Sequence, residues 1–158
     1  LKKGIEKVNT KFFCIFNADG SFDPKELDEM ISKLKHDKCD FVFASRYEKN
    51  CGSDDDTLIT FIGNYIFTFL GNIFFKLGIT DILYTFVMAK TSCAKNLRLT
   101  SKDFSFCVEL PIKAKRANYK ICTSKSFERS RIAGEKKVNA FKDGLKILFS
   151  MIKLFFRH

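Results

Sequence analysis

The chain has 158 residues, 46% of them hydrophobic, which suffices for one domain with a substantial core. Its net charge of +10 arises in residues 111–158, and such a basic block favours an anionic partner, namely nucleic acid, a lipid headgroup surface or diphosphate groups. The six cysteines form no Cys-x-x-Cys pair, so we expect packing thiols in a reducing compartment rather than disulfides or zinc ligands.

The most informative stretch is 11–27, where an apolar run ends in a polar turn and a helix start. Residues 12–16 are aromatic, β-branched or otherwise apolar, which is typical of a strand buried on both faces of a parallel sheet. Asn17 and Asp19 follow at its carboxyl end. Ligands bind at that edge in open α/β sheets, so the turn is a candidate site.

A helix is predicted from residue 24 to about residue 36, with Asp23 as its N-cap and Glu26 at the N3 position of a capping box. Its apolar stripe, at helical spacing, consists of Leu27, Met30, Ile31 and Leu34. The next strand is predicted at 40–44. Arg46 lies just beyond the end of that strand, near Asp19, and we expect it to bind phosphate.

Two segments of unusual composition follow. Asp54, Asp55 and Asp56 are adjacent acids, which we interpret as a solvated loop rather than a metal site. Residues 57–75 contain no charged side chain and are long enough to span a bilayer. Interspersed Thr, Asn and Gly residues favour one long or two short helices, partly packed and partly facing lipid, over a spanning segment.

The remaining elements of the domain are a strand at 85–89, a helix at 104–115, a short strand at 120–123 and a basic loop at 128–137. Pro111 is unfavourable inside the helix unless it lies in the first turn or at a kink. Asn118 is suited to the position after its end, where a left-handed conformation is common.

A basic amphipathic helix is predicted to begin at Asn139. Four cations fall within a sector of about 60° on a helical wheel: Lys142, Lys146, Lys153 and Arg157. The neighbouring sector is apolar and contains Phe141, Leu145, Leu148, Phe149, Ile152, Phe155 and Phe156. This pattern is typical of helices that lie in a membrane interface.

Five motifs resemble family 2 glycosyltransferases with the GT-A fold, most closely those that use polyprenyl or dolichyl phosphate as acceptor. They occur in the family's order, and they are Asn17-Ala-Asp19, Asp40-Phe-Val-Phe-Ala-Ser-Arg46-Tyr47, a segment beginning at Asp81, Phe106-Cys-Val-Glu109-Leu110, and Arg131-Ile-Ala-Gly134-Glu-Lys-Lys137. The first is similar to the family's Asp-x-Asp turn, with Asn17 in place of the first acid.

The resemblance implies an α/β fold of the GT-A (Rossmann-like) type, a mostly parallel sheet flanked by helices. Residues 1–138 would form a partial GT-A domain and residues 139–158 the interfacial helix. Because the chain does not begin with Met and starts directly before the first predicted strand, we expect that the family's preceding βα units, which hold the nucleotide base, are missing from it. We therefore expect an N-terminally truncated domain that is inactive by itself.

The resemblance also implies transfer of a sugar from a nucleotide-sugar donor to a lipid phosphate, assisted by Mg²⁺ or Mn²⁺ held by Asp19. Asp19 and Arg46 are the expected catalytic residues. Expected substrate contacts are Asn17, Arg46, Asp81, Glu109, Arg129, Arg131 and Lys137. For Asp81 and Glu109 a structural role remains equally open. The attacking phosphate is already largely anionic near pH 7, since its second pKa is about 6, so no strong general base is required.

Two other classes of protein stay open. A nucleic-acid-binding module would use the same basic third, but the aromatic residues lie in apolar runs rather than between basic residues, so we predict no nucleic-acid partner. A small integral membrane protein without catalysis would follow from residues 57–75. We expect instead an enzyme at the cytoplasmic face of a membrane, attached peripherally to an anionic surface.

Overall fold

The structure is a computed structural model that describes residues 1–134 and 139–156. Lys137 and Arg157, both named above, lie outside the described residues. Within them the elements follow in the order α1 (Lys2–Lys7), β1 (Phe12–Ile15), α2 (Glu26–Lys35), β2 (Phe41–Ser45), β3 (Gly52–Ser53), α3 (Leu58–Phe75), β4 (Val87–Lys90), α4 (Thr91–Asn96), α5 (Phe106–Arg116), β5 (Ile121–Lys125), β6 (Phe127–Glu128) and α6 (Ala140–Phe156).

In the described residues the central sheet has four strands in the order β1-β4-β2-β5. The expected mixed α/β fold with helices around a sheet is confirmed. Strands β1, β2 and β5 point the same way, but β4 lies between β1 and β2 and pairs antiparallel with both. The predicted first strand is therefore half-buried at a sheet edge rather than enclosed by parallel neighbours. The carboxyl ends of β1, β2 and β5 nevertheless share one edge, where the site forms.

The sheet separates two apolar cores because alternate residues of each strand point to opposite faces. On one face α2 packs on Val42, Ala44 and Met88 through its predicted stripe, which includes the fully buried Met30. On the other face α5 covers Phe41 and Phe43, and α3 and α6 pack beside it. The helical layers fix where the strand ends can open to solvent.

Helix α2 begins at Glu26, two residues later than predicted. The N-cap position of α2 is Lys25, without a side-chain cap, and the Asp23 carboxylate accepts from the Lys25 amide at 3.0 Å in the turn just before the helix. Glu26 does not complete a capping box either. Its carboxylate accepts from the Ser126 hydroxyl at 2.5 Å and from the Phe127 amide at 2.9 Å. The tertiary partner therefore outweighs the local cap.

Helix α3 is a single helix whose buried face is polar or small and whose exposed face is apolar. The buried residues are Asn64, Thr68 and Gly71. Asn64 accepts from the Leu83 amide at 3.0 Å and Thr68 from the Ile82 amide at 3.1 Å. A Cβ at Gly71 would lie 2.9 Å from Ile82, so glycine permits this close contact. The polar face is used to bind the backbone of the segment that follows α3.

The exposed face of α3 consists of Leu58, Ile59, Phe61, Ile62, Tyr65, Ile66, Phe69, Ile73 and Phe74. Among the described residues, α3 is the one helix long and apolar enough to cross a membrane by length and composition, and 17% of it is buried. The same length and composition also suit a helix lying along a surface. An exposed apolar face of this extent is unusual for a soluble monomer and is typical of an interaction site.

Helix α6 begins after Asn139, whose side chain accepts from the Lys142 amide at 3.0 Å, as the predicted N-cap should. Ile147 and Met151 are buried against the domain. The neighbouring predicted apolar sector stays exposed, with Phe141 and Phe156 each more than three-quarters accessible. The helix thus presents three sectors, one packed on the domain, one apolar and exposed, and one basic.

The expectation that all cysteines are thiols is wrong for one pair. Cys39 and Cys122 form a disulfide between residues whose Cα atoms are 6.1 Å apart. They follow different helices, and the pairing of β2 with β5 brings them together, which spacing in the sequence does not reveal. Cys14, Cys51, Cys93 and Cys107 are free thiols.

Glu109 lies in α5, which continues through Pro111. Its carboxylate is 1% exposed and accepts from the Thr100 amide and hydroxyl and from the Ser101 amide at 2.7–2.8 Å. Burial opposes its ionisation, but Lys113, whose ammonium is 2.6 Å away, and these donors outweigh burial and lower the pKa of Glu109 to about 2. The carboxylate therefore fastens the 100–101 turn to α5.

We predict that Glu109→Gln lowers the free energy of unfolding at pH 7 by about 2 kcal/mol, since an amide cannot accept from every donor and loses the Lys113 charge. Because the folded pKa lies below the unfolded value, this contribution is present above about pH 4.5 and is lost as the pH falls towards 2. Urea unfolding at pH 7 and pH 3 checks it. Glu29→Gln, at an exposed pair with Lys33, is the control and should change stability by less than about 0.5 kcal/mol. An equal decrease in the free energy of unfolding of Glu109→Gln at pH 7 and at pH 3 would contradict the prediction.

Candidate active site

A cavity of about 520 Å³ opens at the carboxyl edge of the sheet. Its polar lining comes from several elements, the β1 end (Asn17 and Asp19), the β2 end (Arg46), the loop before α3 (Asp55 and Asp56), α3 itself (Thr60 and Asn64), β6 (Glu128) and the following loop (Arg131). Its apolar walls include Tyr84, Phe104 and Phe106. The volume and mixed lining suit a small-molecule site.

Asp19 is held in an ionised state. Its Oδ1 accepts from the Ser21 amide at 3.1 Å and from the Ser21 hydroxyl at 2.7 Å, and its Oδ2 lies 3.5 Å from the Arg131 guanidinium. Burial opposes ionisation, but the Ser21 hydrogen bonds and the Arg131 charge outweigh burial and place the pKa of Asp19 below its ordinary value. Gly20 has φ of +83°, which allows the turn to close.

Arg46 lies at the cavity, as predicted, but its guanidinium is occupied by carboxylates. Nε and Nη2 donate to the two oxygens of Asp81 at 2.7 and 3.0 Å, and Nη1 donates to Glu128 at 2.9 Å. The residue is 9% exposed, and the guanidinium stacks over the Tyr84 ring at 4.6 Å. Burial disfavours the charged form, but Asp81 and Glu128 outweigh burial and raise the pKa of Arg46.

Asp81 lies behind Arg46 and is 1% exposed. Besides the guanidinium it accepts from the Asn64 side chain at 2.8 Å and from the Arg46 amide at 3.2 Å. Glu128 also accepts from the Ser53 hydroxyl at 2.6 Å. This arrangement gives Asp81 a structural position, because its oxygens are used within the protein and a substrate cannot reach them.

Asp56 connects this network to α3. Its carboxylate accepts from the Tyr47 and Thr60 hydroxyls and lies 3.9 Å from Arg46. Burial raises the pKa of Tyr47, so the phenol stays protonated and donates to Asp56. Asp56, Asp81 and Glu128 together outnumber the single charge of Arg46. The net negative charge around its guanidinium opposes direct phosphate binding by Arg46.

The loop that follows β6 lies against the Asp19 turn. The Arg129 amide donates to the Ser21 carbonyl and the Ile132 amide to the Asp19 carbonyl, each at 2.9 Å. Arg131 Nη2 and Nε each lie 3.2 Å from Asp55. Arg129 turns the other way, and its Nη2 donates to the Phe22 carbonyl at 2.9 Å. It lines a separate cavity of about 380 Å³ on the far side of the turn.

The structure therefore brings four predicted site residues to one cavity: Asn17, Asp19, Arg46 and Arg131. Asp81 supports that cavity from behind, and Arg129 lies beside it. Glu109 is outside the cavity, in the structural contact already described. The position of Lys137 is outside the described residues and remains a prediction.

Sequence reasoning missed several residues of the site: Ser21, Asp55, Asp56, Asn64 and Glu128. The expectation of a solvated aspartate loop is wrong for Asp55 and Asp56, which have side-chain partners and line the cavity. A weak signal existed in Asn64, since an amide side chain inside a largely apolar helix usually has a polar partner when it is buried. The partner, Asp81, could not be identified without the fold.

The fold, a mixed sheet flanked by helices, is that of a GT-A domain. The model of the family described as "Glycosyl transferase family 2" matches residues 1–98. The chain belongs to glycosyl transferase family 2.

A solved structure supports the fold over nearly the whole chain. It is the crystal structure of glucosyl-3-phosphoglycerate synthase from Mycobacterium tuberculosis in complex with phosphoglyceric acid, with a TM-score of 0.65 and 9% sequence identity. The match covers 97% of this chain and 52% of that chain, so this chain spans about half the length of the synthase. At this identity the likeness concerns the fold.

The donor atoms at the Asp19 turn fit a hard divalent cation. Among the described residues there is no group of three or more His, Cys, Asp or Glu side chains arranged to hold a metal. Asp19 offers a carboxylate, Asn17 an amide oxygen, and the Arg131 guanidinium 3.5 Å from Asp19 shows that a positive charge is accommodated there. Mg²⁺ and Mn²⁺ favour oxygen donors, and substrate oxygens and water can complete the coordination.

We predict that Arg46→Lys destabilises the protein by about 3 kcal/mol, because a lysine cannot replace the forked contact and leaves buried carboxylates unpaired. Thermal or urea unfolding measures this. Arg98→Lys, at an exposed arginine, is the matched control and should be nearly neutral. Wild-type stability in Arg46→Lys would mean that the guanidinium is not the structural centre of the network.

Proposed function

We propose that the protein is a glycosyltransferase that transfers a sugar from a nucleotide-sugar donor, with Mg²⁺ or Mn²⁺ held by Asp19. The single observation that supports this most strongly is Asp19 itself, ionised at the strand end and facing the 520 Å³ cavity in a chain of this family. A bound divalent cation would neutralise the diphosphate as it leaves.

The residues of the chain would then divide the work. Asp19 holds the cation, and Asn17 offers its amide oxygen beside it without adding charge. Arg131 supplies a guanidinium to the phosphate oxygens of donor or acceptor. Arg46 acts as a positioning residue that keeps the cavity wall in place. No general base is needed for a phosphate acceptor, whose attacking oxygen is anionic near pH 7.

For the acceptor we propose a polyprenyl or dolichyl phosphate. Helix α3 lines the cavity with Thr60 and Asn64 and exposes its apolar face on the opposite side. The same helix thus borders the cavity and offers an apolar surface to a lipid, whose phosphate would enter the cavity past the edge of α3. The similar synthase was solved with phosphoglyceric acid, a soluble phosphate-bearing acid, which is the second candidate class of acceptor.

Labelled nucleotide sugar offered to the whole protein with polyprenyl phosphate or with 3-phosphoglycerate separates these acceptors. We expect the label in the organic phase with the lipid and no product with phosphoglycerate. Product with phosphoglycerate alone would contradict the lipid acceptor and leave the transferase proposal standing.

We further propose that the protein lies at the cytoplasmic face of a membrane through α3 and α6. The two helices are in contact, and their exposed apolar residues include Phe74 and Phe155, whose rings are 5.6 Å apart. Lys142, Lys146 and Lys153 are exposed on α6 beside this surface. Basic residues near an anionic leaflet each contribute on the order of 1 kcal/mol, and the cytoplasmic leaflet is the anionic one.

The Cys39–Cys122 disulfide weighs against a reducing compartment, since disulfides are rare there, so the cytoplasmic location rests on the apolar and basic surfaces of α3 and α6. Both sulfurs lie in the α2-covered core, away from the cavity. Alkylation of the thiols with and without prior reduction, in protein taken from cells, measures the fraction of molecules in which the Cys39–Cys122 disulfide is formed in the cell.

We predict that Asp19→Asn reduces sugar transfer by the whole protein at least about 100-fold and removes Mn²⁺ binding, because the carboxylate charge that attracts the cation is lost. Asn17→Asp is the matched variant on the same turn and should retain transfer or bind Mn²⁺ more tightly. Initial rates and titration with Mn²⁺ measure both. Wild-type turnover in Asp19→Asn would show that the metal assignment is wrong.

We predict that the double variant Ile62→Gln, Phe69→Gln binds anionic vesicles about 30-fold more weakly than the wild type. Both residues are about half exposed on α3, and each should contribute about 1 kcal/mol by burial in lipid. Vesicle co-sedimentation measures this, and thermal unfolding should be unchanged. Phe127→Gln, an exposed aromatic on β6, is the control. Unchanged vesicle binding by the double variant would remove α3 from the membrane contact.

A further inference from the structure

Arg131 is shared by two carboxylates that approach it from different segments of the chain. Its Nη1 lies 3.5 Å from Asp19, and its Nε and Nη2 each lie 3.2 Å from Asp55. The three side chains are between 18% and 25% exposed and line the same cavity. The Arg131 guanidinium thus has a longer contact to Asp19, the proposed metal ligand, and a closer contact through two nitrogens to Asp55, in the loop before α3.

The backbone on both sides of this contact is anchored. The Ile132 amide donates to the Asp19 carbonyl at 2.9 Å, and a Cβ at Gly20 would lie 2.6 Å from the Ile132 side chain. The Asp55 amide donates to the Ser53 hydroxyl at 3.2 Å. These contacts hold the backbone near Asp19 and Asp55, so a change of partner at Arg131 requires only a rotation of its side chain.

We infer that Asp55 is a positioning residue that holds Arg131 where its guanidinium neutralises Asp19 without a divalent cation and withdraws from Asp19 when that cation binds. This rests on the proposed divalent cation at Asp19. A divalent ion and a guanidinium next to one carboxylate repel each other, and the repulsion is strong at a site partly shielded from water. Asp55 offers the displaced guanidinium a partner that it already contacts.

Two consequences distinguish this role from a direct one. Arg131 competes with the cation for Asp19, so removing its charge should tighten cation binding. Asp55 weakens that competition, so removing its charge should leave Arg131 on Asp19 and weaken cation binding. The second effect should depend on Arg131, because Asp55 acts through it.

The test is a double-mutant cycle on the whole protein, with Mn²⁺ alone as the probe and without nucleotide. We expect Arg131→Gln to tighten Mn²⁺ binding at least threefold and Asp55→Asn to weaken it at least fivefold. In the Arg131→Gln background, Asp55→Asn should change binding less than twofold. Asp54→Asn is the matched control, because this substitution removes the same charge from a neighbouring residue that is exposed. Its effect should also be under twofold.

Three outcomes would overturn the inference. The first is an equal loss of Mn²⁺ affinity from Asp55→Asn in the wild type and in Arg131→Gln. Asp55 would then act on the cation directly, as a ligand or through its charge. The second is unchanged or weaker Mn²⁺ binding in Arg131→Gln, and the third is no Mn²⁺ binding in either the wild type or Arg131→Gln. If circular dichroism shows that Asp55→Asn does not fold, the Arg131→Gln result decides alone.

Sugar transfer measured on the same samples separates this inference from the proposed function. Mn²⁺ binding with the expected coupling but no transfer would reject the transferase proposal and support the Arg131 exchange. Sugar transfer without coupling between Asp55 and Arg131 would support the transferase proposal and reject the Arg131 exchange.

Discussion

The buried contact between Arg46 and Asp81 is the interaction on which the site depends. It joins the end of β2 to the segment after α3, and Glu128 and Asn64 extend it to β6 and to α3 itself. A guanidinium can satisfy several carboxylate oxygens at once, which an ammonium cannot do in the same geometry. The cavity wall is consequently built from charged groups that satisfy each other and leave the cavity's remaining oxygens for a ligand.

The unusual face of α3 follows from the same network. Asn64 and Thr68 are buried because they hold Asp81, Ile82 and Leu83 in place, so the helix places its polar residues inwards. The apolar residues are then left outside, where water is an unfavourable neighbour. A lipid surface or another apolar partner resolves this conflict. The helix that shapes the cavity also exposes an extended apolar face, which links the site to its proposed acceptor.

Charge around the cavity is organised in two layers. In the inner layer, Arg46 is outnumbered by Asp56, Asp81 and Glu128, and its contacts are fixed by burial. In the outer layer, Arg131 is shared between Asp19 and Asp55 and is partly accessible to solvent. The inner arginine can hardly reorient without leaving buried charges unpaired, whereas the outer one has two partners within reach. The difference in burial assigns a structural role to one arginine and a variable one to the other.

Local pattern was sufficient for much of this protein. The strand before Asp19, the apolar stripe of α2, the position of Arg46 at a strand end and the Asn139 cap all follow from short-range periodicity and turn chemistry, and the ordered motifs pointed to the family. Long-range contacts decided the rest. Glu26 accepts from Ser126 instead of capping α2, and β4 pairs antiparallel with β1. Cys39 and Cys122 form a disulfide because β2 pairs with β5. Asp55, Asp81 and Glu128 acquired their roles only when distant segments came together around Arg46 and Arg131. The sequence shows which side chains can ionise. The fold determines which partner each of them contacts, and the partner determines its role.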